Sequence, residues 1–266
     1  MARLRSLLVL CSAGLLLSAA PALSQTVQPL TSVPTAQAPA IPDPNSSAAD
    51  LEKQGDALRA EKRYLDSIDF YNVALKKQPT ALLWNKEGMS YLLLQHPEKA
   101  GKCFEQAIKL EKNAPEGYNN RGYVEQMKEK YDKAIRDYSK AIKLRPDDAV
   151  FHYNMASSYF SKHDYPTAAR EYRSAYGLDP DIFDRVSRTG FMVQTPSPED
   201  RAAFSFLVAK IYAQAGDLDR SLEYLRKAME NGYKNIKKVY TDSEFATLRT
   251  DPRFEELMAQ RPQAIP

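Results

Sequence analysis

The same residues return at the same offsets five times along this chain, and few folds can accept that constraint. Aligning Gly55, Gly88, Gly122, Ala156 and Ala209 puts Ser67, Ala100, Ala134, Ala168 and Ser221 twelve residues downstream. Sixteen downstream come Tyr71, Phe104, Tyr138, Tyr172 and Leu225, and nineteen downstream every copy has alanine: Ala74, Ala107, Ala141, Ala175 and Ala228. Three copies then reach Pro79, Pro146 and Pro180. The copies are spaced by 33, 34, 34 and then 53 residues. A period near 34 is the mark of a helix–turn–helix solenoid, in which one pair cannot hide its own apolar face and stacked neighbours hide it instead.

The third copy, residues 115–148, shows how such a unit is built. Its first half presents Tyr118, Gly122 and Met127, and its second presents Ala134, Ile135, Tyr138, Ala141 and Ile142. Spacings of three, four and seven put these groups on one stripe of each helix. Gly122 costs about 1 kcal/mol of helix propensity relative to alanine. Its recurrence as Gly55 and Gly88 therefore predicts positions where a side chain would obstruct packing, with an aromatic ring filling the space opposite. Pro146 stops the second helix, because proline cannot continue the hydrogen-bond ladder.

These residues resemble the tetratricopeptide repeat position by position: Trp84, Gly88, Tyr91, Ala100, Phe104 and Ala107, then Tyr118, Gly122, Ala134, Tyr138, Ala141 and Pro146, then Tyr159, Ala168, Tyr172, Ala175 and Pro180. Residues 48–182 resemble four consecutive repeats (48–80, 81–114, 115–148 and 149–182), and 202–233 resemble a fifth through Ala209, Tyr212, Gly216, Leu225 and Ala228. The chain departs from the pattern at Gln54, at Lys112 where proline is usual, and at the polar Glu125. The resemblance implies an all-α fold, a right-handed superhelical solenoid of antiparallel helix pairs. It also implies a concave groove lined by the first helix of each pair.

Outside the repeats the chain changes character. Arg3 and Arg5 precede an apolar run from Ser6 to Ala20, followed by small residues around Ala22 and Ser24. Residues 1–24 are expected to be a secretory signal peptide cut after Ala22 or Ser24. An uncleaved membrane anchor is the alternative, for which the run is short. Residues 25–47 carry five prolines and one charge, Asp43, and read as a disordered linker that cannot bury enough apolar surface to offset its ordering. The chain is thus expected to be exported, to a periplasm or beyond the cell. Removing Arg3 and Arg5 lowers the formal charge from +3 to +1, which gives no electrostatic reason to bind nucleic acid. Cys103 would then be the one cysteine left, so no internal disulfide is expected.

Residues 183–201 interrupt the period, with Thr195-Pro196-Ser197-Pro198 marking a break. Phe183, Val186 and Phe191 could pack there as a short helix, but a plain spacer is the simpler expectation. After Gly232 comes a tail with Val239, Tyr240, Phe245, Leu248, Phe254 and Leu257, similar to the tails of bacterial tetratricopeptide proteins. Within 202–260 it is expected to cover the last repeat's open face. This similarity also suggests a bacterial cell envelope.

The residues give catalysis no foothold. His96, His152 and His163 have no metal-ligand spacing, and no phosphate loop or nucleophile elbow is present, so neither enzyme activity, cofactor nor metal is expected. The inner face is the better candidate. By repeat position it includes Asn85, Lys86 and Met89, then Asn119, Asn120 and Tyr123, then Tyr153, Asn154, Ser157 and Phe160, and finally Phe206 and Lys210. Side-chain amides there suit an extended peptide backbone, and Met and aromatic groups suit its side chains. Asparagine at positions 120 and 154 is also common in the repeat itself. Glu52 and Asp56 stand where the co-chaperone members of the family use Lys and Asn, so their grip on a C-terminal carboxylate is not expected here. The expected role is a scaffold that binds a protein or peptide. Self-association into a structural module and recognition of a glycan or small ligand are the alternatives.

Overall fold

The computed structural model describes residues 38–189 and 197–260, and the folded body begins at Ala40. The expected signal peptide, and the linker as far as residue 37, lie outside the described residues. The described residues are all-α, and their helices pack in consecutive antiparallel pairs. The pairs are α1 (Ala48–Ala60) with α2 (Tyr64–Lys77), α3 (Ala81–Leu93) with α4 (Pro97–Leu110), and α5 (Pro115–Met127) with α6 (Tyr131–Leu144). They continue with α7 (Ala149–Ser161) and α8 (Tyr165–Leu178), then α10 (Pro198–Ala215) and α11 (Leu218–Glu230). Between the last two pairs lies the short α9 (Ile182–Thr189). Three single turns of 3-10 helix and α12 (Pro252–Gln260) complete the described chain. No described helix is long and apolar enough to cross a membrane.

Each pair closes around one seat. A methyl group added to Gly55 would lie 2.6 Å from Tyr71, one on Gly88 2.5 Å from Phe104, and one on Gly122 2.9 Å from Tyr138. Those distances are inside van der Waals contact, so the glycines are there to admit the rings. The rings and the alanines below them are fully buried: Tyr71, Phe104, Tyr138, Ala74, Ala107 and Ala141 are at most 1% exposed.

The turn inside each pair is equally regular. Lys62, Gln95, Glu129, His163 and Gly216, each seven residues after the aligned small residue, have φ between 58° and 82°. The residue after each donates its N–H back across the helix end, as in Arg63 to Leu58 O and His96 to Tyr91 O at 2.9 Å. This is the glycine-type helix stop, executed four times without glycine.

The interruption is not a plain spacer. α9 packs on both α7 and α8, and its Ile182 and Phe183 are 0% and 1% exposed. Phe183 lies among Tyr153, Tyr172, Tyr176, Phe204 and Tyr212, with ring centroids 5.7 to 6.4 Å away. Arg220 of α11 ties this joint to the next pair by bonding Asp181, Pro180 O and Asp217 while lying 4.9 Å from the Tyr212 ring. Residues 190–196, with Phe191, fall outside the described residues. Beyond Gly232, Val239, Phe245 and Leu248 are fully buried and close the end of the α10–α11 pair.

Candidate functional site

The first helices of successive pairs touch one another directly, α3 with α5 and α5 with α7. That contact places them on the inner side of the stack, so their outward residues share one face. A recess of about 480 Å³ opens on this face at the first three pairs. Leu82, Asn85, Lys86 and Met89 of α3 line it together with Asn120 of α5 and the α4–α5 connection from Glu111 to Pro115. Leu82 stands 58% exposed at its edge.

Lys86 sits between two acids of α1. Its Nζ donates to Glu52 Oε1 at 2.5 Å and to Asp56 Oδ2 at 2.6 Å. Burial alone would lower its pKa, but the two carboxylates outweigh that and hold it above the ordinary lysine value. Asp56 also accepts from the Tyr71 hydroxyl at 2.7 Å. The lysine is therefore committed to its neighbours and offers little net positive charge to a ligand carboxylate.

Further along, the amides hold one another. Asn154 Nδ2 donates to Asn119 Oδ1 at 2.9 Å, and Asn119 Nδ2 donates to Asn120 Oδ1 at 3.1 Å. Ser157 accepts from Gln126 Nε2 at 3.0 Å, and Gln126 in turn accepts from the buried Tyr138 hydroxyl at 2.9 Å. These side chains stitch α5 to α7 as much as they face outward. Tyr123 is half-buried against Leu92 and Phe104 in a local core cluster.

Asn85, though at the recess, is buried, and three aromatic residues expected on the groove lie in the core. Tyr153 is 2% exposed beneath Tyr172 and Phe183, and Phe160 is 3% exposed against Tyr165 and Phe204. Phe206 is 4% exposed, stacked on Tyr233. Tyr153 is covered by Phe183 of α9 and Phe206 by Tyr233 and Phe245 of the tail, while Phe160 is enclosed by Tyr165 of α8 and Phe204 of α10. Lys210 is held by Asp242 at 2.9 Å and Glu244 at 3.2 Å. The recess thus unites Asn85, Lys86, Met89 and Asn120 and leaves the other expected residues elsewhere. Leu82 and Glu116, both at its wall, were missed by sequence reasoning. They lie six residues before Gly88 and Gly122, one turn ahead of Asn85 and Asn119 on the same face, so helical spacing alone would have found them.

The other chemistry-bearing groups are structural. Cys103 is buried, and burial first, then the Glu87 charge, pushes its thiol up to about 12. His152 bridges Glu171 at 3.1 Å and Pro146 O at 3.3 Å. Among the described residues no group of His, Cys, Asp and Glu is placed to hold a metal ion.

Sequence models of the tetratricopeptide repeat match residues 81–114, 115–148 and 202–231. A chloroplast protein of Arabidopsis thaliana is 31% identical over 65 residues, which span 24% of this chain and 19% of that protein. The match thus covers about a fifth of that relative. Among solved structures, MamA is 21% identical over 69% of this chain and 96% of its own, with a TM-score of 0.48. YrrB, described as a TPR protein with an unusual peptide-binding site, is 16% identical over 73% of this chain and 91% of its own, also at 0.48. The second TPR domain of human RPAP3, solved with an HSP70 peptide, is 24% identical over 44% of this chain and 98% of its own, at 0.41.

Proposed function

The chain is a tetratricopeptide repeat protein, and from that premise we propose that it is an exported, non-enzymatic scaffold that holds a segment of a partner protein on its inner face. The observation that carries this reading is the recess beside α3, where Leu82 is exposed and Met89 lies next to side-chain amides. A wall of that kind suits an extended chain: the apolar groups take side chains and the Asn120 amide takes a main-chain group. Concave faces are the surfaces that solenoids use for partners, and a right-handed superhelix of these pairs would present one. The charged apolar run at the start of the sequence supports export into a bacterial envelope.

The test is crosslinked capture from an envelope extract of the native host with the mature protein and its Leu82→Glu/Met89→Glu form. Leu82 is exposed and Met89 half-buried against the Leu92–Phe104 cluster, so the comparison is made at matched thermal transitions, where capture should be lost. Equal capture by both proteins overturns the reading. Export is checked separately by mass spectrometry of the native chain. A mature N-terminus near residues 23–25 is expected, and an uncut N-terminus in the membrane fraction would reject cleavage.

A further inference from the structure

The small formal charge of the chain hides an uneven distribution. Four outer positions of each second helix lie 11, 14, 18 and 21 residues after the aligned small residue. In α4 they hold Lys99, Lys102, Gln106 and Lys109, and in α6 Lys133, Arg136, Lys140 and Lys143. All eight side chains are exposed. At 3.6 residues per turn these offsets fall within an arc of about 80° and run about 15 Å along the helix, so each set is one stripe. The other copies do not share it. The same positions read Asp66, Asp69, Val73 and Lys76 in α2, and Thr167, Arg170, Ser174 and Gly177 in α8. In α11 they read Arg220, Glu223, Lys227 and Glu230. The repeat itself therefore does not demand the cations; two adjacent modules add them to it.

The acids of the two helices do not cancel the stripe. α4 and α6 carry two each. Glu98 is taken by Lys128 at 3.0 Å, Asp132 by Lys162 at 2.5 Å and Asp137 by Arg121 at 2.7 Å. The fourth, Glu105, also acts on Arg121. No salt bridge engages the stripe cations among the described residues, although Lys99 and Lys140 lie over the rings of Tyr91 and Tyr118, at 5.3 and 5.8 Å. The first helices meet on the inner side of the stack, so α4 and α6 turn the stripe outward.

The surroundings of the stripe select the class of partner. Neither the recess beside α3 nor a second one, of about 330 Å³ between α10 and the tail near the other end of the stack, includes a stripe residue. A docked protein would want a pocket for an anchor, and a single-stranded nucleic acid would want rings for its bases. The eight positions offer neither. One residue beyond Lys109 stands Leu110, 52% exposed on the same side of α4. A phosphate polymer has no use for that side chain. Long unpaired cations around one exposed aliphatic group suit a fluid sheet of anionic headgroups over acyl chains.

We propose that the outer face of α4 and α6 docks on a membrane surface rich in anionic phospholipid, with Leu110 at the headgroup boundary. The inner face then points away from the bilayer and stays open to a partner. The proposal does not rest on the scaffold reading and concerns the opposite face of the stack.

The probe is a vesicle of phosphatidylglycerol and phosphatidylcholine in equal parts, sedimented with the chain from residue 25, which keeps the whole described body but not the apolar run at 6–20. Half of the protein should sediment at a lipid concentration on the order of 0.1 mM, and binding should vanish as salt rises towards about 0.5 M. Lys102→Glu/Lys133→Glu should weaken binding by about ten-fold or more, with an unchanged thermal transition because both side chains are exposed. Lys234→Glu/Lys237→Glu alters the net charge equally, at exposed residues outside the stripe, and should retain binding within about two-fold. Leu110→Gln should weaken binding by about three-fold. Equal sedimentation with pure phosphatidylcholine, indifference to Lys102→Glu/Lys133→Glu, or an equal loss in Lys234→Glu/Lys237→Glu overturns the proposal. Unchanged binding by Leu110→Gln together with equally tight binding of an oligothymidylate would make the stripe a site for phosphate polymers and likewise overturn it.

Discussion

Glu87 of α3 is 3% exposed, and its Oε2 finds no hydrogen-bond partner among the described residues. Burial pushes its pKa up to about 7, against smaller opposing contributions from the Cys103 and Asn72 side chains. A carboxyl with a raised folded-state pKa favours its neutral form in the fold. Its contribution is therefore fully present below the unfolded value near 4.5 and is lost as pH climbs through 7. At about 1.4 kcal/mol per unit the loss is bounded at roughly 3 kcal/mol. Urea denaturation should show stability falling between pH 4.5 and 8 in the native protein and a flatter profile in Glu87→Gln. Parallel profiles would mean that Glu87 is ionised in the fold. Nothing in the sequence marks this residue, because the aligned positions are Gln54, Arg121, Met155 and Val208, with no shared character. The glycine seats are the opposite case. Their obstruction by Tyr71, Phe104 and Tyr138 was legible because three copies in succession solve the same packing problem with a glycine and an aromatic ring.

The turns within the pairs hold one residue at positive φ in all five copies, yet only the fifth, Gly216 at 82°, is glycine. No atom lies within 4 Å of where its Cβ would be. The cost of Gly216→Ala is thus purely conformational, about 1 kcal/mol. Glu129→Gly relieves the same strain and should change stability by no more than about 1 kcal/mol, in the stabilising direction, after the entropy gained by the unfolded chain is deducted. Paired urea curves should show opposite signs, and a loss of several kcal/mol in either variant would contradict this account. Turn placement was readable from the period. The role of α9 was only half legible, since the period is silent where it breaks: Pro196 and Pro198 announced an interruption, and a short packed helix through Phe183 stood open beside the simpler spacer, with nothing in the period to decide between them. The same blindness put Tyr153, Phe160 and Phe206 on the surface. A repeat position assigns a direction to a side chain, and rings from α9, from the tail and, at Phe160, from α8 and α10 are then added in that direction.

Buried apolar residues are unevenly shared along the stack. From Ala149 to Met258 they form one continuous cluster, whereas the first three pairs carry smaller, separate ones. Each pair leans chiefly on its neighbours, so opening should proceed by segments. Native-state hydrogen exchange should find the slowest amides in α10 and α11 and the fastest helical amides in α1 and α2. One uniform protection level over all five pairs would instead indicate a single cooperative unit. Overall architecture was legible from the sequence because it repeats, while the unequal core depends on α9 and the tail, which the period does not describe. Each regular joint, with a ring of one helix over a small residue of its partner, is interchangeable with the next, and the two recesses lie near opposite ends of the run. Their separation is consequently counted in whole modules: splicing in or deleting one 34-residue copy would lengthen or shorten the molecule as a ruler by one graduation without redesigning either end.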